Sequence, residues 1–283
     1  MNLFRINVEE AFKSAVYCSG TTGSGKSDIG MYTVQAIKQE HPDATIVVFD
    51  PTQDWMDRSG IPFASQPTSS YLPYRDFEKM PSLIFDLSML GIPEQQSLVE
   101  TFCKELMEWQ ASIPKHKRRQ WFIVFEEAHT YFPEGCMRSK RYKNTVRMMT
   151  QGRNFRIRFM CITQFASLLD KNAMRYMRQR YFGYTDEPND IRYVSKFFND
   201  DADIENKVRG LEAGSFLYKN GDSYRQVEIQ PFRSESHPIL MRIPQPTVQS
   251  EPLQPSPNYT AAAKFIVVTV LGLLILWLTL GAK

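Results

Sequence analysis

Five short apolar runs recur between residues 14 and 164, each bounded by polar or turn-forming residues. They are Ser14 to Cys18 (SAVYC), Ala44 to Phe49 (ATIVVF), Ser82 to Asp86 (SLIFD), Gln120 to Phe125 (QWFIVF) and Arg158 to Gln164 (RFMCITQ). Runs of this length without polar alternation read as strands buried on both faces, the state of strands in a parallel sheet. Between them the apolar period lengthens to that of a helix. Asp28 to Gln39 carries Ile29, Met31, Tyr32, Val34, Ala36 and Ile37 with no proline. Glu94 to Gln110 sets Leu98, Val99, Phe102, Leu106 and Trp109 on one stripe. Alternating strand and helix predict a three-layer α/β/α domain around a mainly parallel sheet. Later, Gly214 to Tyr218 and Tyr224 to Ile229 flank Asn220-Gly221, which predicts a hairpin. No internal repeat is visible.

The pattern changes again near the end. Ile243 to Asn258 carries Pro244, Pro246, Pro252, Pro255 and Pro257 among Gln and Ser, the composition of an extended linker. Phe265 to Ala282 is uncharged and bounded by Lys264 and Lys283. As a helix it would span about 27 Å, close to the ~30 Å hydrocarbon core of a bilayer. Trp277 sits toward one end, where an indole favours the interface. A buried core helix is the alternative, but such a helix seldom lacks a polar face and seldom hangs on a proline-rich linker. The expected organisation is a folded domain over 1–236, a linker over 237–263 and a transmembrane anchor over 264–283. With nothing beyond Lys283, the folded domain is expected to stay on the side where it folds, the cytoplasm.

Composition adds exclusions. The 283 residues allow one sizeable α/β domain with appendages. Cys18, Cys103, Cys136 and Cys161 are widely spaced with no paired C-x-x-C, and the four histidines are dispersed. Neither a disulfide framework nor a structural metal site is expected. Met1 to Phe12 is polar and amphipathic, unlike a signal peptide.

The candidate chemistry lies at the strand ends. Gly20-Thr21-Thr22-Gly23-Ser24-Gly25-Lys26-Ser27 matches the Walker A pattern G-x-x-x-x-G-K-[ST]. Glycines let successive backbone N–H groups face phosphate oxygens, Lys26 reaches the β- and γ-phosphates, and the Ser27 hydroxyl is a Mg²⁺ ligand. A strand before it and a helix after it give the context the motif needs. The run Gln120 to Phe125 ends in Glu126-Glu127-Ala128-His129, a Walker B arrangement. The first acidic position after such a strand points at the metal, which assigns Glu126 to the Mg²⁺ shell, mostly through water. Glu127 then polarises the attacking water as general base. Asp is usual at the first position, and Glu126 is one methylene longer.

Overall charge is only modestly positive, +3, but its distribution is uneven. Between Gly135 and Leu169 there is no Asp or Glu, whereas Arg138, Lys140, Arg141, Lys143, Arg147, Arg153, Arg156 and Arg158 all lie there. A stretch this one-sided suits a surface that tracks nucleic-acid phosphates. A solvated or lipid-facing basic surface is the alternative. Lys115-His116-Lys117-Arg118-Arg119 is a second cluster that precedes a buried strand and reads equally as a solvated loop.

Taken in order, the Walker A loop, Phe49-Asp50-Pro51-Thr52-Gln53-Asp54-Trp55, Glu126-Glu127-Ala128-His129 and Gly152-Arg153-Asn154-Phe155 leading into Ile162-Thr163-Gln164 resemble the HerA/FtsK superfamily of DNA-pumping ATPases. The resemblance covers roughly Val16 to Phe232. It implies a RecA-like P-loop NTPase core using ATP and Mg²⁺, assembled as a ring, usually a hexamer, that moves double-stranded DNA through its pore. Gln164 would sense the γ-phosphate. A neighbouring subunit would supply an arginine, Arg153 first and Arg147 second. Hydrolysis would shift the basic loop 135–147 against DNA.

The compactness of the chain is similar to that of the genome-packaging ATPases of tailless, internal-membrane viruses and phages. That likeness implies docking on a virion or host-cell membrane and a capsid or membrane-protein partner. Zot-like assembly ATPases of filamentous phages are a second resemblance, although they carry a further domain beyond the span. The Glu126-Glu127-Ala128-His129 box is also similar to that of helicases whose motif ends in Glu-Ala-His. A membrane-tethered, nucleotide-dependent scaffold is the non-enzymatic reading, and the intact Glu127 argues against it.

Overall fold

The apolar runs form the middle of one sheet. A computed structural model describes residues 6–66, 77–198 and 201–234, together with the backbone of 239–240. Its strands are β1 (Ala15–Ser19), β2 (Thr45–Asp50), β3 (Phe63–Ser65), β4 (Leu83–Asp86), β5 (Trp121–Phe125), β6 (Ile157–Thr163), β7 (Met177–Phe182), β8 (Ser215–Asn220), β9 (Ser223–Glu228) and β10 (Ile239–Leu240). The helices are α1 (Val8–Lys13), α2 (Lys26–Glu40), α3 (Ile92–Ser112), α4 (Lys143–Gln151), α5 (Pro188–Ser195) and α6 (Ile204–Arg209). All lie within the unit Met1–Arg242.

The sheet order is β10-β3-β4-β2-β5-β6-β1-β7-β8-β9. Neighbours from β10 to β7 run parallel, and β8 and β9 close the other edge antiparallel. Strands β1, β2, β4 and β5 are buried at every position. Their side chains alternate between two apolar layers. Tyr17, Val47, Phe49, Phe85 and Phe125 share one layer with Leu98, Phe102 and Leu106 of α3 and Met148 of α4. Val16, Cys18, Ile46, Val48 and Val124 share the other with Ile29, Val34 and Ile37 of α2. This is the expected three-layer arrangement. Because the inner strands are parallel, the residues that follow β1, β2, β4, β5 and β6 all emerge at one edge, where ligands of open α/β sheets bind.

Phe49 anchors the first layer. Its ring stacks on Phe85 and Phe125 at centroid distances of 5.3 and 5.5 Å and meets Phe102 edge-on at 5.3 Å. Phe49→Ala is expected to destabilise the domain by about 3–5 kcal/mol, read from the denaturant midpoint at unchanged slope.

Three local features depart from the sequence expectation. The hairpin turns on Gly221-Asp222, one residue later than Asn220-Gly221, because Asn220 still pairs with Ser223 in the ladder. Gly221 takes the left-handed position with φ 62°. Strand β7 carries Arg178, Gln179 and Arg180 and has no apolar run. It is stabilised through Gln179, whose amide donates to Asn7 O at 3.0 Å and accepts from Tyr218 OH at 3.3 Å. The stretch expected to be a basic loop over 135–147 is built from 3-10 turns at Cys136–Arg138 and Lys140–Tyr142, with α4 starting at Lys143. Glu100 fixes the start of α4 by accepting from Asn144 N at 2.6 Å and Thr145 N at 2.9 Å.

The proline-rich linker and the Phe265–Ala282 segment lie outside the described residues. Among the described residues no helix is long and apolar enough to cross a membrane.

Candidate active site

The phosphate loop joins β1 to α2 in the conformation its glycines permit. Gly20 has φ 154°, and a Cβ there would stand 2.7 Å from Ser24 Oγ and 3.2 Å from Gly183 Cα. Gly25, with φ 94°, is the residue before α2 begins. Two neighbours brace the loop: Thr21 N donates to Tyr184 O at 2.8 Å, and Gly214 N donates to Ser24 O at 3.0 Å. The buried Lys26 sends Nζ back across the loop to Thr21 O at 2.9 Å. Its ammonium is thereby held where the N-terminus of α2 also presents positive potential.

Glu126 and Glu127 follow β5 directly. In a continuing strand two successive side chains would point to opposite faces. Glu127 instead adopts a left-handed backbone, φ 51°, which ends the strand and brings both carboxyls into one cleft. That cleft has a volume of about 260 Å³, and Thr22, Lys26, Ser27, Asp54, Glu126, Glu127 and Gln164 line it. A left-handed non-glycine residue is uncommon, and such residues concentrate at functional sites.

Glu126 is buried and held on both oxygens. Trp55 Nε1 donates to Oε2 at 2.8 Å, and Ser27 Oγ donates to Oε1 at 3.3 Å. Ser27 Oγ also lies 3.4 Å from Asp54 Oδ2. Burial, reinforced by the nearby Asp50 and Glu127 charges, pushes the Glu126 carboxyl up to about 8 against the opposing pull of Trp55 and Lys26. Asp50 is also raised, by burial, although Trp55 N, Thr52 N and Thr52 Oγ donate to it. Glu127 goes the other way. Burial alone would raise it, but the His129 ring and the Gln164 amide hold it below the usual carboxylate range. Its Oε2 accepts from Gln164 N at 3.3 Å and lies 3.3 Å from His129 Nδ1, which is also 3.0 Å from Thr163 Oγ. Two adjacent carboxyls are thus driven apart, the pattern expected where acid and base roles divide.

Gln164 leaves the end of β6 and accepts from Thr22 Oγ at 3.0 Å. The structure therefore gathers Lys26, Ser27, Glu126, Glu127 and Gln164 at one edge. Arg153 lies elsewhere, in the 3-10 turn Gly152–Phe155 before β6. The seven residues of β6 separate it from Gln164, about 20 Å at the rise of a strand. Arg147 lies on α4.

The basic stretch also divides. Arg138, Lys140, Arg141, Lys143 and Arg153 are exposed. Arg158 is bound inward, with Nε donating to Phe12 O at 2.6 Å and Nη1 to Ile157 O at 2.8 Å, and burial lowers its pKa to about 10. Arg156 donates to Arg118 O at 3.0 Å. The free basic surface is consequently narrower than the span Arg138 to Arg158.

Sequence reasoning missed the roles of Trp55, Asp54 and Arg58. The first two sit in the quoted segment after β2, yet only the fold shows that Trp55 reaches Glu126. Arg58 lines the cleft with its guanidinium on Asp28, and Asp28 Oδ1 also accepts from Phe232 N at 2.8 Å.

No protein-family profile and no curated protein sequence matches this chain. Solved structures do. The genome packaging NTPase B204 of Sulfolobus turreted icosahedral virus 2, in complex with ATP-gammaS, is 15% identical, covering 77% of this chain and 98% of its own, with a TM-score of 0.55. VirB4 of Thermoanaerobacter pseudethanolicus is 11% identical over 76% of this chain and 89% of its own, with a TM-score of 0.56. The bacterial conjugative coupling protein TrwBdeltaN70 is 10% identical over 81% of this chain and 88% of its own, with a TM-score of 0.54. All three are HerA/FtsK-type P-loop ATPases. This chain has their fold. The resemblance drawn from the ordered motifs is borne out by that likeness, and at these identities the likeness speaks for the fold.

Proposed function

We propose that this chain is an ATP-driven DNA translocase that packages viral genomic DNA into a membrane-containing capsid, acting as an oligomeric ring. The observation that carries the reading is the convergence of Lys26, Ser27, Glu126, Glu127 and Gln164 in one cleft at the carboxyl edge of the sheet. The similarity to B204, a genome packaging NTPase solved in complex with ATP-gammaS, supports it.

The donors present fit Mg²⁺, a hard cation that takes oxygen ligands. Glu126 Oε1 and Asp54 Oδ2 lie 3.3 and 3.4 Å from Ser27 Oγ. Ser27 and Glu126 would hold the ion, which when bound with ATP neutralises phosphate charge. Lys26 binds the β- and γ-phosphates. Glu127, ionised at neutral pH, accepts the proton of the attacking water and orients it. Gln164 contacts the γ-phosphate side and links it to Thr22 of the loop.

Arg58 is the sole arginine among the described residues lining this cleft, and Asp28 holds it. Positive charge for the developing phosphoryl anion then comes from the adjacent copy, with Arg153 as the trans residue. This is the physical reason for a ring. The exposed cations Arg138, Lys140, Arg141 and Lys143 supply a DNA-facing surface. Phe265 to Ala282 anchors the chain in a membrane, with the catalytic domain on the cytoplasmic side and the capsid vertex as docking partner.

Trp55→Phe is expected to weaken Mg²⁺-dependent nucleotide binding by about 10-fold, as loss of a supporting hydrogen bond to a metal ligand does. Binding in EDTA should change little. Titration of a fluorescent nucleotide with and without Mg²⁺ checks this. The translocase reading itself is tested by ATP-dependent displacement of a triplex-forming strand from a duplex. Hydrolysis without displacement would leave a nucleotide-driven assembly factor instead.

A further inference from the structure

After β9 the chain passes the phosphate loop. Ile229 N donates to Gly214 O at 2.8 Å, and Gly214 N donates to Ser24 O at 3.0 Å. The approach is close, since a Cβ on Gly214 would stand 2.6 Å from Ile229 O. Phe232 is buried, and its ring meets Tyr32 of α2 edge-on at 4.9 Å. Both polar atoms of its backbone are held. Phe232 N donates to Asp28 Oδ1 at 2.8 Å, and Phe232 O accepts from Arg58 Nε and Nη2, each at 3.4 Å. Arg58 Nη2 also pairs with Asp28 Oδ1. Asp28 and Arg58 line the nucleotide cleft with Lys26 and Ser27.

An acid in the first turn of α2 suits the helix dipole, but beside a phosphate site it repels the ligand. Arg58 offsets that charge. Its guanidinium is a rigid fork of five donors. Nε and Nη2 are used, whereas Nη1 has no hydrogen-bond partner among the described residues. A spare donor thus sits on the sole arginine among the described residues that line this cleft.

We infer that Arg58 binds the nucleotide through Nη1 and ties it to the domain exit at Phe232, so that nucleotide and docked exit stabilise each other. The inference rests on the ATPase reading and adds a route from the site to the chain beyond Ser234. Its physical basis is shared ordering. Arg58 is partly exposed and holds Phe232 O by two long contacts, so it keeps rotamer freedom that a bound anion removes. Phe232 O then faces a fixed donor. Linkage makes the effect reciprocal, because the factor gained by the nucleotide from the docked exit equals the factor gained by the exit. The sequence beyond runs into the proline-rich stretch and the apolar run, so a pull on either reaches the cleft through this junction.

Arg233 is exposed and follows Phe232 directly, so trypsin cleavage after Arg233 reports release of the exit. The full chain is digested with and without Mg²⁺ and ATPγS, and the new chain end is counted by mass spectrometry. Saturating ATPγS is expected to slow this cleavage by about 10-fold, within the usual range of coupling between sites. Arg58→Lys keeps a cation for Asp28 but lacks the fork. It should bind a fluorescent ATP analogue within a few-fold of the wild type, while ATPγS no longer protects Arg233. General stabilisation by ligand would persist in this variant, so loss of protection there marks the coupling.

Bound ATPγS without protection of Arg233 in the wild type overturns the inference. So does faster cleavage, which would mean that the nucleotide draws Arg58 away from Asp28. Protection that survives in Arg58→Lys overturns it as well. A wild-type chain that binds no ATPγS removes the ATPase reading and the inference with it.

Discussion

Lys26→Ala is expected to lower nucleotide affinity by roughly 10²–10³-fold, about 3–4 kcal/mol, and to leave no measurable turnover. The lysine is the buried cation of the phosphate loop, and its Nζ is bonded to Thr21 O at 2.9 Å. Charge-assisted hydrogen bonds to phosphate are among the strong ones, and no other cation of the loop can replace it. The loop's own geometry comes from its glycines and from Tyr184 O and Gly214 N, so thermal stability should change little. A fluorescent-nucleotide titration alongside a melting curve separates the two effects. Unaltered affinity would mean that nucleotide binds elsewhere.

Glu127→Gln is expected to keep nucleotide affinity within a few-fold and to lower kcat by about 10²–10⁴-fold, the scale of general-base catalysis. The substitution preserves shape, and the amide oxygen can still accept from Gln164 N, as the carboxylate does at 3.3 Å. What disappears is the anion that takes the water's proton. The pH dependence follows from the lowered pKa of Glu127. A base depressed below its ordinary value stays ionised as pH falls through 5, so this group should limit turnover only below the usual carboxylate range. Single-turnover hydrolysis of pre-bound ATP across pH 5–8 measures both. Normal turnover by Glu127→Gln would remove the base assignment.

The core was legible because its strands are buried on both faces. Val47, Phe49, Ile123 and Phe125 need apolar neighbours on one side of the sheet, and Ile46, Val48 and Val124 need them on the other, so alternation vanishes. Strand β7 was not legible, since Gln179 is buried by its hydrogen bonds and Arg178 is exposed. The turn was displaced by one residue because ladder register, set by Asn220 and Ser223, decides where a hairpin ends.

At the site, residues adjacent to the two Walker motifs could be named from spacing alone. Trp55 could not, because it lies 71 positions from the glutamate it holds. Nor could the separation of Arg153 from the cleft, which follows from its place at the opposite end of β6. Arg158 looked like part of a basic surface, yet two backbone carbonyls claim its guanidinium.

The central claim is that ATP turnover here is coupled to duplex DNA. The most direct measurement is ATP hydrolysis by the full chain with no nucleic acid, with double-stranded DNA and with single-stranded DNA, across a salt series. Double-stranded DNA is expected to stimulate turnover, and the stimulation should fade steeply as salt rises, the signature of cations on phosphates. Turnover indifferent to both forms of DNA would contradict it.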